Sequence, residues 1–161
     1  MRYEHYEIPC CRTGTIATLN LMAELVHTAL RDPIVRQKTL ELVSGSTGPA
    51  DLAQSVNRFI RLYVTIVDEP DELLHRPEWM IRRIEEKGRT FGDCDDAAML
   101  SAALLAAAGI PVRFKAVGPQ PDGSMEHVFT EWSGRSGWTA IDPTINFYPM
   151  YSSEFLVQEV A

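Results

Sequence analysis

The apolar residues of the first half of the chain recur at helical spacing. Steps of three and four from Ile16 to Leu30 place one apolar face along a helix, because these steps match one turn of an α-helix. Asp32 and Pro33 then suit the N-cap and the first position of a second helix. We expect this second helix to end at about Val43.

Two further helices are predicted before residue 90. The SGSTGP segment at 44–49 is a loop by composition. Asp51 caps or opens the next helix, and the β-branched run 64–67 at its end fits a helix or a strand equally well. A short helix is expected to begin at Pro77 and to end at Gly88. The apolar face of the longer helix consists of Leu52, Val56, Phe59, Ile60 and Tyr63.

From residue 112 onwards, the spacing of the apolar residues changes to the alternation that is typical of strands. Residues 112–117 predict one strand, and residues 127–132 predict a second after the GPQPDG loop. A turn rich in serine and glycine leads to a third strand at 138–142, which Pro143 ends because proline cannot donate to a ladder. A short final strand is expected near 155–157. Helices followed by antiparallel strands indicate an α+β fold.

One long helix between the two halves begins with a cysteine. The stretch FGDCDDAAMLSAALLAAAG runs from Phe91 to Gly109, and a tight turn delivers Cys94 to the first helical position. The unpaired N–H groups and the dipole of a helix N-terminus favour a thiolate. On position alone, however, a cysteine in a helix is more often a small buried hydrophobic residue.

Three aspartates flank this cysteine and suit an N-cap and a first helical turn. Their negative charge opposes a thiolate, so we expect Asp95 and Asp96 to point away along the helix and Asp93 to serve the turn. Consecutive residues at a helix start diverge, whereas zinc ligands must converge, so no metal site is expected. The other histidines, His5, His27 and His75, are interpreted as isolated surface or core residues.

The predicted hairpin brings a histidine close to an aspartate. If Gly134 and Arg135 form a two-residue loop, His127 lies directly opposite Asp142, and a three-residue loop shifts its partner to residue 143. The two side chains are neighbours in either register, since opposed Cβ atoms lie about 5 Å apart. An aspartate beside a histidine orients the imidazole and stabilises its charged form.

Cys94, His127 and Asp142 form a candidate acyl-transfer triad if the helix start meets the sheet. The thiol would attack a carbonyl, His127 would carry the proton to the leaving amine, and Asp142 would hold the imidazole tautomer. The backbone N–H of Cys94 is a natural first oxyanion donor, and the second is not placed. Each residue also has a structural interpretation, as a buried thiol, a satisfied strand histidine or a strand-ending aspartate.

The length, charge and hydropathy of the chain limit the number of domains and the kinds of partner that we expect. The 161 residues suffice for one domain, 1–161, with a helical lobe at 1–90 and the cysteine helix plus sheet at 91–161. A formal net charge of −7 without a Lys/Arg block argues against nucleic acid as a partner. The most apolar stretch, 97–112, is too short and wrongly flanked to span a membrane.

The N-terminal segment and the cysteine count indicate the cellular location of the protein. Residues 1–13 predict an extended or irregular arm without an apolar run of signal-peptide length. The three cysteines, of which Cys10 and Cys11 are adjacent, form no disulfide framework. A reducing, cytoplasmic location is therefore expected.

The segments GDCDDAAMLSAALLAAAGIPVRF, EHVFTEW and WTAIDPT resemble the transglutaminase-like cysteine protease superfamily. A cysteine at a helix start, a histidine on a strand and an aspartate before a proline occur in that family's order over roughly 90–145. The segments GTIATLNLMAELV, RDPIVRQ and DEPDELLHRPEWMI are similar to the helical lobe of small transglutaminase-like proteins of tailed phages and prophages. The resemblance implies a papain-like core, Cys94, His127 and Asp142 as catalytic residues, and neither a metal nor an organic cofactor.

Two functions follow from these patterns. The first is an acyl-transfer enzyme that acts on a peptide or protein substrate through a thioester, most simply a cysteine peptidase or amidase. Resolution of the thioester by an amine would instead make it a protein-crosslinking transglutaminase. The second is a catalytically silent module that binds virion or assembly proteins, with the tail aromatics Phe147, Tyr148 and Tyr151 docking on a partner or covering the groove. The complete triad favours the enzyme.

Overall fold

The computed structural model of the chain describes residues 11–67, 73–144 and 155–160. These residues form five helices and six strands. The helices are α1 (Cys11–Ala29), α2 (Pro33–Ser44), α3 (Pro49–Tyr63), α4 (Pro77–Lys87) and α5 (Cys94–Ala107). The strands are β1 (Val64–Ile66), β2 (Thr90–Gly92), β3 (Val112–Pro119), β4 (Met125–Gly134), β5 (Gly137–Ile141) and β6 (Phe155–Glu159). None of the helices in these ranges combines the length and apolarity needed to cross a bilayer.

The helical half follows the predicted capping signals. The Asp32 side chain accepts the Ile34 N–H at 2.9 Å and caps α2, as predicted. Gly88 ends α4 in the left-handed conformation at φ 78°, which glycine adopts without a Cβ clash. Helix α3 opens at Pro49 rather than Asp51, whose carboxylate accepts the Thr47 N–H ahead of the helix.

The structure settles part of the N-terminal arm and the run 64–67, which the sequence left irregular or ambiguous. Positions 11–13 already belong to α1, so the expectation of an irregular arm is wrong there, and positions 1–10 lie outside the described residues. The β-branched run supplies β1, which pairs in parallel with β2, Val64 opposite Thr90. The sequence did not predict β2, because three residues are too few to show a period.

Helix α5 lies at the centre of the molecule. It packs against α1 to α4 on one side and against β3 and β4 on the other. Its Ala/Leu-rich sequence is apolar on all faces, and a helix of that kind is stable only when it is enclosed. The α+β class is confirmed, with the cysteine helix packed on an antiparallel sheet of order β5-β4-β3-β6.

The hairpin between β4 and β5 has a register that differs from both predicted ones. The loop residues are Arg135 and Ser136, because Gly134 pairs with Gly137, and Thr130 lies opposite Ile141. The expected loop at 134–135 is therefore wrong by one position along the chain. That error slides the register by two residues, which leaves each side chain on its predicted face of the sheet.

Candidate functional site

The start of α5 is held by its N-cap. Asp93 Oδ1 accepts the N–H groups of Asp95 at 3.0 Å and of Asp96 at 3.3 Å. The carboxylate thereby satisfies two of the N–H groups that a helix start leaves without intrahelical partners. Asp93 thus serves the turn, as the sequence predicted, and Cys94 becomes the first residue of the helix.

The thiol of Cys94 is half-buried at the contact between α5 and β4. Burial raises the pKa of the Cys94 thiol well above its ordinary value, and the negative charges of Asp95 and Asp93 raise it further. The nearby backbone of Val128 on β4 lowers the pKa in part. The resting group is therefore a thiol at neutral pH, despite its place at a helix N-terminus.

Asp95 contradicts the expectation that it points away from the sulfur. The Cys94 Sγ donates to Asp95 Oδ1 over 3.6 Å. Because the two residues are adjacent in the first turn, a single aspartate rotamer is enough to return the carboxylate to the thiol. Asp96 does point away, and its buried carboxylate lies in a different environment.

His127 and Asp142 form a direct hydrogen bond. The imidazole Nε2 lies 2.6 Å from Asp142 Oδ2, and the Asp142 residue is only 3% exposed. The N–H and the hydroxyl of Thr144 donate to the other oxygen at 3.0 and 2.6 Å. Burial alone would raise the pKa of Asp142, but the hydrogen bonds from His127 and Thr144 outweigh it and hold the pKa below its ordinary value.

The strand that carries His127 also reaches the cysteine. The backbone of Val128, the next residue on β4, lies close enough to Cys94 to lower the pKa of the thiol. Further along, the buried Thr130 hydroxyl donates to the Ala98 carbonyl at 2.8 Å and ties β4 to α5. The structure therefore pairs His127 with Asp142 on the strand that packs against the cysteine helix, while the convergence of Cys94 with this pair and the three catalytic roles stay predictions.

A second histidine–aspartate pair lies at the same helix start, and the sequence did not predict it. The backbone N–H of His75 donates to Asp96 Oδ1 at 2.6 Å, and the ring Nδ1 of His75 lies 2.7 Å from Asp96 Oδ2. The interpretation of His75 as an isolated residue is wrong. No local signal could have found the pair, because a loop and two elements separate its members along the chain.

The expectation that neighbouring acidic residues diverge is also wrong for part of the cluster. Ligand-type atoms of Asp93, Cys94 and Asp95 lie within 4.8 Å of one another. The reason is that Asp93 precedes the helix in an extended conformation, so its carboxylate folds back over the first turn. That carboxylate is already used as the N-cap acceptor.

One of the two predicted functions has the tail aromatics covering a groove, and the 118–124 loop is a second surface segment. The tail aromatics Phe147, Tyr148 and Tyr151 lie outside the described residues. The loop packs against the first turns of α1, where Met125 N–H donates to Thr15 Oγ1 at 3.2 Å. At Gly123, which has φ 85°, an added Cβ would lie 3.4 Å from Arg12 Cβ.

Comparisons with known proteins agree with this fold. The family model of the transglutaminase-like superfamily matches residues 36–143, about two thirds of the chain. Among solved structures, a candidate protease from Parabacteroides distasonis superposes with a TM-score of 0.58 at 13% identity. The match covers 89% of this chain and 29% of that one, so this chain spans under a third of its length. No curated protein matches the sequence.

Proposed function

Because the chain belongs to the transglutaminase-like superfamily, we propose that it is a cysteine acyl-transfer enzyme, most simply a peptidase or amidase. Cys94 is the nucleophile, His127 the general base and Asp142 the residue that orients the imidazole. The observation that carries the proposal is the 2.6 Å His127–Asp142 hydrogen bond, made from a strand that packs against the helix that begins at Cys94.

The tautomer of His127 follows from its partner. Asp142 has a lowered pKa and remains a carboxylate at neutral pH, so it accepts a hydrogen bond from the Nε2–H group. In the neutral imidazole, Nδ1 then carries the lone pair and can take the thiol proton. The carboxylate also stabilises the imidazolium that forms when this proton arrives.

Acyl transfer then takes place in two stages. As the Cys94 sulfur bonds to the carbonyl carbon of a peptide or side-chain amide, its proton moves to His127 Nδ1. The oxyanion accepts the backbone N–H of Cys94, which has no intrahelical partner at a helix start. The C–N bond breaks as His127 protonates the amine, leaving a thioester. Water attacks this thioester with His127 again as base, the C–S bond breaks, His127 returns the proton to the sulfur, and the acid leaves as the Cys94 thiol is restored.

The raised pKa of Cys94 decides how the attack begins. Burial and Asp95 raise the pKa of the Cys94 thiol and so favour its protonated form in the resting protein. General-base catalysis removes the proton during the attack and needs no preformed thiolate. His127 is accordingly required for the chemical step itself.

The test is acylation of Cys94 by an activated ester of an N-acyl amino acid, followed by intact mass and peptide mapping. His127→Ala should slow acylation on the order of a hundredfold, within the range of general-base catalysis. His27→Ala, an exposed histidine on α1, is the matched control and should leave the rate unchanged. Equal rates in wild type and His127→Ala would overturn the proposal.

The same assay determines whether water or an amine is the acyl acceptor. A primary alkylamine added in excess competes with water for the thioester, and the product mass distinguishes the free acid from the amide. Free acid alone supports a peptidase or amidase, whereas amide formation supports the crosslinking alternative. We propose a peptide or protein as the substrate, since the thioester chemistry requires an amide or ester carbonyl.

A catalytically silent interaction module, for instance among virion proteins, is the second candidate. The specific observation in its favour is the 3.6 Å contact of Cys94 Sγ with Asp95 Oδ1, because this carboxylate and burial both raise the pKa of the thiol. Such a protein would show Cys94 reactivity below that of a model thiol and no response to His127→Ala. An enzyme would respond to His127→Ala even with a slow resting thiol.

A further inference from the structure

The carboxylate of Asp96 is the most enclosed charged group in the part of the chain that the structure describes. It is fully buried, and both of its oxygens accept hydrogen bonds from His75. An enclosed carboxylate is costly unless it is paired in this way. Asp96 lies two residues after Cys94 on α5, so these hydrogen bonds act on the first helical turn.

The backbone at Gly92 closes over the same carboxylate. A Cβ built there would lie 2.7 Å from Asp96 Cβ and closer still to Asp96 Oδ2. Gly92 ends β2 and is the second residue before Cys94. The nucleophile candidate is therefore flanked by two residues in direct contact with each other, Gly92 before it and Asp96 after it.

The imidazole of His75 is itself held in place. It stacks on Trp79 with ring centroids 4.7 Å apart and meets the edge of Phe91 at 5.4 Å. Its side chain is 17% exposed. Trp79 belongs to α4 and Phe91 to β2, so the ring is fixed by two elements other than the helix that it contacts.

We propose that His75 and Asp96 form a positioning pair that fixes the first turn of α5, and with it the Cys94 thiol and N–H, for the proposed acyl transfer. The role rests on the proposed function. The pair does not act as a second base, because residues two apart on a helix project to different sides. Cys94 contacts β4, whereas Asp96 contacts the segment before α4.

Positioning matters here because two groups of Cys94 must meet one carbonyl. The sulfur has to approach the carbon while the N–H faces the oxygen, and a displacement of about 1 Å costs on the order of a hundredfold in rate. The N-cap Asp93 holds the turn through hydrogen bonds from the N–H groups of Asp95 and Asp96, which belong to the same turn. His75 supplies the external anchor, through one side-chain and one main-chain hydrogen bond.

Three variants separate the hydrogen bond from the ring stack. His75→Phe keeps the stack on Trp79 and the backbone N–H donor but loses the ring donor to Asp96 Oδ2, whereas His75→Asn keeps an N–H near the Nδ1 position and loses the ring. Asp96→Asn preserves shape and removes the charge. Acylation of Cys94 and amide hydrogen exchange at 93–96 are measured for each, with the thermal midpoint as the control for folding.

The expected pattern is selective. His75→Phe should slow acylation by about tenfold to a hundredfold and speed exchange at 93–96 relative to α2. His75→Asn should recover most of the rate, which a role in ring packing would not allow. Equal acylation rates of wild type and His75→Phe would overturn the positioning role of the pair. Unfolding of both His75→Phe and Asp96→Asn would also overturn it, because the His75–Asp96 contact would then support the whole lobe and not the Cys94 turn in particular.

Failure of the proposed function gives a different result. If His127→Ala leaves Cys94 chemistry unchanged, the enzyme proposal falls and the exchange readout decides the local role of His75. Faster exchange confined to 93–96 in His75→Phe then supports a role of the positioning pair in holding the Cys94 turn of a non-enzymatic protein. Unchanged exchange in that variant overturns the positioning role as well.

Discussion

His127 Nε2 and Asp142 Oδ2 lie 2.6 Å apart although the two residues are diagonal neighbours in the hairpin, not opposed ones. Asp142 comes directly after the last residue of β5, and Thr144 donates to its other oxygen twice. Diagonal neighbours on one face remain within reach of long side chains. The pair is therefore set by the shared face and by the Thr144 contacts rather than by direct opposition.

Replacing Asp142 by Asn should destabilise the protein in a pH-dependent way. The pKa of Asp142 is lowered in the folded state, so its contribution is present above the unfolded pKa and is lost as pH falls through the folded pKa. We expect a loss of about 1–3 kcal/mol at pH 7 and a smaller loss near pH 3. Urea unfolding at both pH values measures it, with Glu86→Gln as an exposed control.

A cost for Asp142→Asn that is equal at both pH values would contradict this account. The carboxylate would then contribute through its shape and its neutral hydrogen bonds alone. Glu86 lies on α4 and is exposed, so its neutralisation should change stability by less than about 0.5 kcal/mol at either pH.

Asp95→Asn should make Cys94 more reactive. Removal of this negative charge lowers the pKa of the thiol, and the thiolate is the nucleophile, so more of it is present at any pH below that pKa. A change of one pKa unit is tenfold in thiolate fraction, and we expect iodoacetamide alkylation to accelerate by roughly threefold to tenfold at pH 7.5. Peptide mapping separates Cys94 from Cys10 and Cys11.

Glu86→Gln again serves as the charge control for alkylation and should leave the rate unchanged. A slower reaction in Asp95→Asn would mean that Asp95 itself accepts the thiol proton. His127 would then lose the role of sole base, and the proposed mechanism would need Asp95 in its first step.

Gly92→Ala should cost about 1–3 kcal/mol, the range typical of an overpacked core position. The new methyl group would meet the Asp96 side chain, which cannot retreat because both of its oxygens bind His75. Gly45→Ala is the control, since its Cβ would meet only the Leu42 carbonyl oxygen at 3.9 Å. Equal unfolding midpoints for the two variants would show that the Gly92 turn has room for a side chain.

Thr130→Val tests the link between α5 and β4. The Thr130 hydroxyl is fully buried and donates to the Ala98 carbonyl. Valine keeps the shape but leaves that carbonyl lone pair unsatisfied, which costs about 1–3 kcal/mol. Thr139→Val, at an exposed position on β5, should be near neutral in the same denaturation experiment, and a neutral Thr130→Val would remove this hydroxyl from the anchors of the site.

Local signals account for the parts of the fold that the sequence predicted well. The cap at Asp32, the left-handed end at Gly88 and the strand alternation each depend on residues close together in the chain. The face shared by His127 and Asp142 was also predictable, because a register slip of two residues preserves the face on which each side chain lies.

The sequence by itself determined the α+β order, the place of Cys94 at the start of α5 and the pairing of His127 with Asp142, since capping and periodicity are local properties of the chain. Tertiary structure alone decided the rest. It buried the thiol and turned Asp95 back to it, and it joined His75 to Asp96. Burial and contacts between distant segments arise only when packed elements meet, and they reverse the ionisation that the helix dipole alone would favour.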